Sequence, residues 1–306
     1  MSSIAFPVAL VGFALVVGAA LPVVAQLPTG QQLVISPQAA AKFVNDGKTV
    51  FLQVGEKGSY DKEHVPGAQF VNMQILAAPR TPGGLALEVP PVDSLKAAIE
   101  RLGISDQSRV VVMFSDEWGT PSTRLLFTLG YAGLGANAFL MDGGVEGWKR
   151  AGLPLTTAVV VPKSGHFTPR PLPSLIVDHA YVEAMRPTGR ARLVDARDSV
   201  FFFGPSTDRV KAGHIPGAVS LPFGTFTDDS MRILPKARIE QIFAAAGIAP
   251  GDTVVAYCHI GQQGTMVLWA ARIAGHPVKL YDGSMNDWTN RKLPLDSTAT
   301  PVARKG

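Results

Sequence analysis

The only cysteine in the chain stands where a nucleophile would. Cys258 closes an apolar run at 253–257 and opens the segment His259-Ile260-Gly261-Gln262-Gln263-Gly264, after which a helical pattern begins. In a parallel sheet, ligands gather beyond the carboxyl ends of the strands. A loop that opens a helix there turns several backbone N–H groups towards one point, with the positive end of the helix behind them. Such surroundings favour a thiolate and make it a competent nucleophile. The glycines let backbone approach the sulfur where a side chain would obstruct it. The competing reading is a buried structural thiol, and the strand-end position argues against it. A single cysteine also excludes intramolecular disulfides, Cys-rich zinc centres and CxxC redox pairs.

The elements that would hold this loop occur twice. His64-Val65-Pro66-Gly67-Ala68 returns as His214-Ile215-Pro216-Gly217-Ala218. Met141-Asp142-Gly143-Gly144 with Trp148 returns as Tyr281-Asp282-Gly283-Ser284 with Trp288, and both copies close on Leu-Pro-Leu. Repeated markers in one order mean two copies of one domain. In the second copy, short apolar or β-branched runs at 192–195, 219–221, 253–257 and 278–280 read as strands. Helical patterns at 178–185, 236–246 and 264–274 lie between them, the last two stopping at Gly247 and Gly275. Buried strands alternating with helices predict an α/β fold, each copy a mainly parallel sheet with helices on both faces. The expected division is a first domain at 30–155, a linker at 156–173, a second domain at 174–296 and a tail at 297–306.

Composition agrees with a packed core. Hydrophobic residues make up 46% and charged residues 17% of the 306, which excludes global disorder. The net charge of +4 comes without any Lys/Arg cluster, so there is no nucleic-acid footprint. A mild positive excess permits small anionic substrates. Residues 4–24 are apolar or small with no charge, and Val23 and Ala25 form a small-residue pattern. This predicts a signal peptide at 1–25, cut after Ala25, and export to the periplasm or the exterior. An uncleaved membrane anchor is the alternative, weakened by Pro7, Gly12, Gly18 and Pro22.

Taken together, the repeated HxPGA segments, the strand-Cys-loop-helix and the Asp-Gly…Trp segments resemble a tandem-domain rhodanese sulfurtransferase over residues 33–296. The resemblance implies an inactive N-terminal copy and a catalytic Cys heading a six-residue loop in the C-terminal copy. Ser115 stands where the second copy has Cys258 and cannot carry a persulfide. Asp116 and Glu117 beside it would repel an anion. The resemblance further implies that Cys258 takes a sulfane sulfur from a donor such as thiosulfate and passes it from a persulfide to cyanide or a thiol. His259, Ile260, Gly261, Gln262, Gln263 and Gly264 would then form the cradle. It implies no metal and no organic cofactor, and no protein partner is named.

The chain also departs from the family. Members specific for thiosulfate usually have basic residues after the Cys, and mercaptopyruvate-specific members have small ones, whereas here His259 and Ile260 follow. His259 could act as a cation or as a hydrogen-bond donor to the donor's oxygens. Asp195-Ala196-Arg197 matches the family's Asp-x-Arg segment, which makes Asp195 a scaffold residue and Arg197 an anion ligand or an ion-pair partner. The second arginine of the family is replaced by Phe201-Phe202-Phe203, which suggests an apolar pocket wall, at least one ring being core. His64, His214, Asp282 and Trp288 have counterparts in both copies and read as structural, with a supporting place beside the persulfide open for Trp288. A phosphatase or arsenate reductase is disfavoured, because its loop needs a closing Arg and the first Arg after Cys258 is Arg272. A 3-mercaptopyruvate sulfurtransferase and a non-enzymatic persulfide carrier remain as alternatives.

Overall fold

The computed structural model describes residues 27, 33–115, 119–185, 191–203 and 213–297. The expected signal peptide, the tail beyond residue 297 and Asp116–Trp118 of the first copy's loop lie outside the described residues. No helix among the described residues is long and apolar enough to cross a membrane.

The apolar runs become two parallel sheets of the same design. The first has β1 (Val34–Ile35), β2 (Thr49–Val54), β3 (Ala68–Val71), β4 (Arg109–Phe114) and β5 (Ala138–Met141), in the order β1-β5-β4-β2-β3. The second has β6 (Ile176–Val177), β7 (Ala191–Asp195), β8 (Val219–Ser220), β9 (Thr253–Tyr257) and β10 (Val278–Tyr281), in the order β6-β10-β9-β7-β8. All the pairings within these sheets are parallel. The strands bearing Ser115 and Cys258 at their ends are therefore central, and Val254–Tyr257 is buried on both faces. That is why these runs show continuous rather than alternating hydrophobicity.

Element ends follow local chemistry. The helix expected from 178 starts one residue later, as α6 (His179–Met185), because the Asp178 carboxylate accepts the Tyr181 N–H at 2.9 Å and caps it. In α8 (Lys236–Ala245), Ala246 is the cap and Gly247 takes φ +76°. The β10 run extends through Tyr281, whereas β8 stops at Ser220, short of the expected 221. The segment 156–173 is strapped to the first domain: Phe167 is buried, and Gly165 N–H donates to Glu100 O at 2.8 Å.

The repeated markers turn out to be structural. Trp148 and Trp288 donate their ring N–H groups to Pro154 O and Pro294 O, at 2.9 and 2.8 Å, so each closes its own Leu-Pro-Leu segment. His64 stacks on Tyr60 and His214 on Phe202, with ring centroids 3.9 and 3.6 Å apart. Both are buried, and their backbones pair with Thr156 and Asp296.

The two sheets share a core. Helices α4 (Thr120–Leu129) and α9 (Gly264–Ala274) each follow the central strand of their own sheet and pack against one another. Leu125, Leu126 and Phe127 join Val267, Leu268 and Ala271 in one apolar cluster that reaches both sheets. Every residue of α9 but Ala274 is buried. Because α9 begins at the end of the cysteine loop, burying it against the first domain fixes the loop's exit.

Candidate active site

Cys258 follows β9 directly and is only 1% exposed. Its N–H donates to Ser284 Oγ at 3.1 Å, and that hydroxyl donates to Tyr281 O at 2.8 Å. Ser284 opens α10 (Ser284–Asn290) with φ +53°, a left-handed conformation unusual for a residue with a Cβ. The following amides, Met285 and Asn286, donate to Cys258 O and His259 O, both at 3.0 Å. The backbone of Cys258 is thus held on both its donor and acceptor sides.

The loop ahead of α9 turns inward. Among the described residues, the backbone N–H groups of His259, Ile260, Gly261, Gln262, Gln263 and Gly264 have no hydrogen-bond acceptor. Gly261, Gln262 and Gly264 are buried, and open amides ahead of a helix are placed to meet water or an anionic ligand. Gly261 takes φ +80°, and a Cβ there would lie 2.6 Å from Asp282 O. A Cβ on Gly264 would lie 3.3 Å from Leu280 Cδ1. These are the two positions where side chains would obstruct the loop. Gln263 Oε1 is buried with no partner among the described residues.

Beneath the loop, Asp195 and Arg197 form a closed pair. Arg197 Nε and Nη2 reach the Asp195 carboxylate at 2.9 and 2.5 Å, and Nη2 also donates to Gly213 O at 2.8 Å. Both residues are at most 1% exposed. Arg197 is therefore a scaffold cation, not an open clamp for substrate. Burial works against its charge, and the Asp195 carboxylate nevertheless holds the Arg197 pKa above its ordinary value. The Tyr257 hydroxyl accepts the Ile215 N–H at 3.1 Å in the same buried network.

His259 is half-buried, its ring edge-on to Phe201 at 4.7 Å between centroids. Burial first, and Arg197 second, push its pKa below the ordinary value. The expected cation is disfavoured here, and a neutral ring is left as a hydrogen-bonding group. The three phenylalanines divide as their environments dictate. Phe202 is core, Phe201 covers His259, and Phe203 is 51% exposed. Trp288 is fully buried in the second domain's outer cluster with Tyr257, so it is a scaffold residue.

The first domain supplies what sequence reading missed. Arg124 on α4 donates to Gly261 O at 3.1 Å and to Asp282 Oδ1 at 2.5 Å, and also reaches Leu87 O. Gln262 Nε2 donates to Thr120 Oγ1 at 2.9 Å. A cleft of about 360 Å³ opens beside Ile260, walled by Met73, Ala77, Ala86 and Leu87 of the first domain and edged by Arg80. Arg80 is exposed and forms no ion pair with a described residue. Ser284 had a visible signal, since the second copy reads Asp-Gly-Ser where the first reads Asp-Gly-Gly. Arg124 and Arg80 had none, because they face the loop only through domain packing. Among the described residues, no group of three or more His, Cys, Asp or Glu could hold a metal ion.

A buried thiol thus heads a loop at the end of the central strand in the second copy of a duplicated α/β domain. The chain belongs to the rhodanese family: the Rhodanese-like domain matches residues 36–151 and again 178–291. It is a tandem rhodanese-family sulfurtransferase. A Pseudomonas aeruginosa protein named "Probable 3-mercaptopyruvate sulfurtransferase" is 33% identical, over 77% of this chain and 85% of the relative. The Gallus gallus thiosulfate sulfurtransferase is 29% identical, over 77% of this chain and 81% of its own length. Among solved structures, wild-type EanB superposes with a TM-score of 0.76 at 23% identity, covering 88% of this chain and 70% of that one. That last likeness is one of fold.

Proposed function

We propose that the protein transfers a sulfane sulfur from thiosulfate to a thiophilic acceptor, cyanide or a thiol, through a persulfide on Cys258. The observation that carries this reading is the row of backbone N–H groups, His259 to Gly264, without acceptors among the described residues. In the first half-reaction the Cys258 thiolate attacks the outer sulfur of thiosulfate. The S–S bond of the donor breaks, and sulfite leaves with the electron pair. The loop amides then face the negative charge on the outer persulfide sulfur, as preorganised donors do in an oxyanion hole. In the second half-reaction the acceptor attacks that outer sulfur, and the Cys258 thiolate leaves. With cyanide the product is thiocyanate. The cleft beside Ile260, two residues along the loop from Cys258, supports an approach from that side, and Arg80 on its edge favours an anionic donor. The charge-free run at 4–24 supports an exported enzyme.

3-Mercaptopyruvate is the second reading. It is supported by the name of the 33%-identical relative and by the burial that pushes the His259 pKa down, which weakens the case for a cation after Cys258. The test is intact mass after incubation with either donor, beside Cys258→Ser. The expected result is a gain of one sulfur atom with thiosulfate, lost on adding cyanide as thiocyanate forms and absent from the variant. A gain with mercaptopyruvate alone would move the assignment to the second reading. No gain with either would make the protein a carrier loaded by another enzyme.

A further inference from the structure

The two domains meet around one point, and several of the described contacts about it are made once from each domain. Thr123 Oγ1 and Thr265 Oγ1 lie 2.9 Å apart where α4 crosses α9. Asp282 accepts the Val89 N–H from the first domain at 3.2 Å, and Asp142 accepts the Ile233 N–H from the second at 2.9 Å. One residue after Thr123, Arg124 meets Gly261 of the cysteine loop. One residue after Thr265, Met266 meets Gly119, its Cε 3.2 Å from where a Cβ on that glycine would sit. The position that faces the loop with the nucleophile is thus an arginine, and the position that faces the loop headed by Ser115 is a methionine.

We propose that Arg124 of the catalytically silent domain is a positioning residue for the reaction at Cys258. It acts by fixing the orientation of the Gly261–Gln262 peptide. The peptide unit is planar and trans, so its C=O and N–H point in opposite directions. Arg124 Nη1 draws the Gly261 carbonyl towards the first domain at 3.1 Å. The Gln262 N–H, which has no acceptor among the described residues, is thereby aimed back into the loop that surrounds the sulfur. Gly261 at φ +80° lacks the side chain that would resist this placement. The same Nη1 donates to Asp282 Oδ1 at 2.5 Å, and Nη2 donates to Leu87 O and reaches Asp282 Oδ2 at 3.4 Å, so Arg124 cannot swing away. The first domain therefore supplies the active site with an outer support rather than with a second nucleophile.

This inference rests on the sulfur-transfer reading, and its test separates the two. The variants are Arg124→Lys, which keeps the charge beside Asp282 but loses the fork, and Arg124→Met combined with Asp282→Asn, which leaves no buried charge unpaired. Arg150→Met is the control, since Arg150 spans the same two domains through Ser230 O at 3.0 Å, away from the loop. Turnover is counted per Cys258 thiol, which a single-cysteine chain makes direct. The expected result is an unchanged KM, with kcat down about tenfold or more in the double variant and less in Arg124→Lys. Alkylation supplies a readout independent of the donor. The rate with iodoacetate relative to neutral iodoacetamide reports the anion-binding amides and falls in both variants, whereas general loosening of the loop would move both reagents together. If folded Arg124→Lys keeps wild-type kcat and the wild-type reagent ratio, or if Arg150→Met loses as much, the inference is wrong. Should the double variant fail to fold, Arg124→Lys alone decides. A wild-type protein that forms no persulfide overturns the sulfur-transfer reading and leaves the alkylation ratio to judge Arg124.

Discussion

Replacing Ser284 by alanine and by glycine separates two opposed effects at the residue that holds the nucleophile. Its hydroxyl accepts the Cys258 N–H and donates to Tyr281 O, and its backbone sits at φ +53°. Ser284→Ala keeps the left-handed backbone and leaves the buried Cys258 N–H without an acceptor, at a cost of about 1–3 kcal/mol. Ser284→Gly loses the same hydrogen bond but relieves the backbone, recovering about 1 kcal/mol. The expected order of stability is wild type, then Ser284→Gly, then Ser284→Ala, with a gap of about 1 kcal/mol between the variants. Denaturant midpoints at a common slope measure it, and sulfur transfer per thiol should fall in both variants as Cys258 loses its anchor. The first copy supplies the reciprocal test. Gly144 has φ +56°, and a Cβ on it would lie 2.4 Å from Phe114 O. Gly144→Ser should therefore be more damaging than either change at 284, because the obstacle is backbone. An alanine variant at 284 as stable as the glycine variant would refute the reasoning.

Three further outcomes follow from the site. Gly261→Ala places a methyl 2.6 Å from Asp282 O in a left-handed backbone, and should lower kcat about 100-fold by displacing the loop. Gly275→Ala, at φ +94° in open space, should cost about 1 kcal/mol of stability and leave kcat alone; equal losses in the two would show that strain matters and the loop does not. His259 has a folded pKa below its unfolded one, so the unfolded chain binds the extra proton just below pH 6.5 and stability rises with pH through that window. His259→Gln should flatten this slope in denaturant titrations between about pH 5 and 7, and an unchanged slope would mean that the ring titrates alike in both states. Arg80→Ala should raise KM for thiosulfate by up to about fivefold, the range of an exposed charge pair, and the effect should shrink in high salt. Equal KM values at low salt would remove Arg80 from the donor site.

Local chemistry was enough for the duplicated α/β architecture, the strand ending in Cys258, the glycine-bearing loop and the helix after it. Strand and helix periodicity, turn glycines and a lone thiol at a strand end are properties of neighbouring residues, and they survive in one dimension. Even the asymmetry between the copies was legible there, as Ser115 against Cys258 and Gly144 against Ser284. The roles of the charged residues were not. Arg197 read equally well as an anion ligand and as an ion-pair partner, and only the closed geometry with Asp195 and Gly213 decided for the latter. His259 read as a cation or as a hydrogen-bond donor, and burial, with the nearby guanidinium, pushes its pKa down and favours the second. Arg124, Thr120 and Arg80 come to the loop from far along the chain, through the packing of α4 on α9 and the cleft beside Ile260. The reason is physical. Secondary structure responds to short-range periodicity, whereas the charge state and partners of a side chain depend on burial and on fields set by groups that only the folded chain brings within a few ångströms.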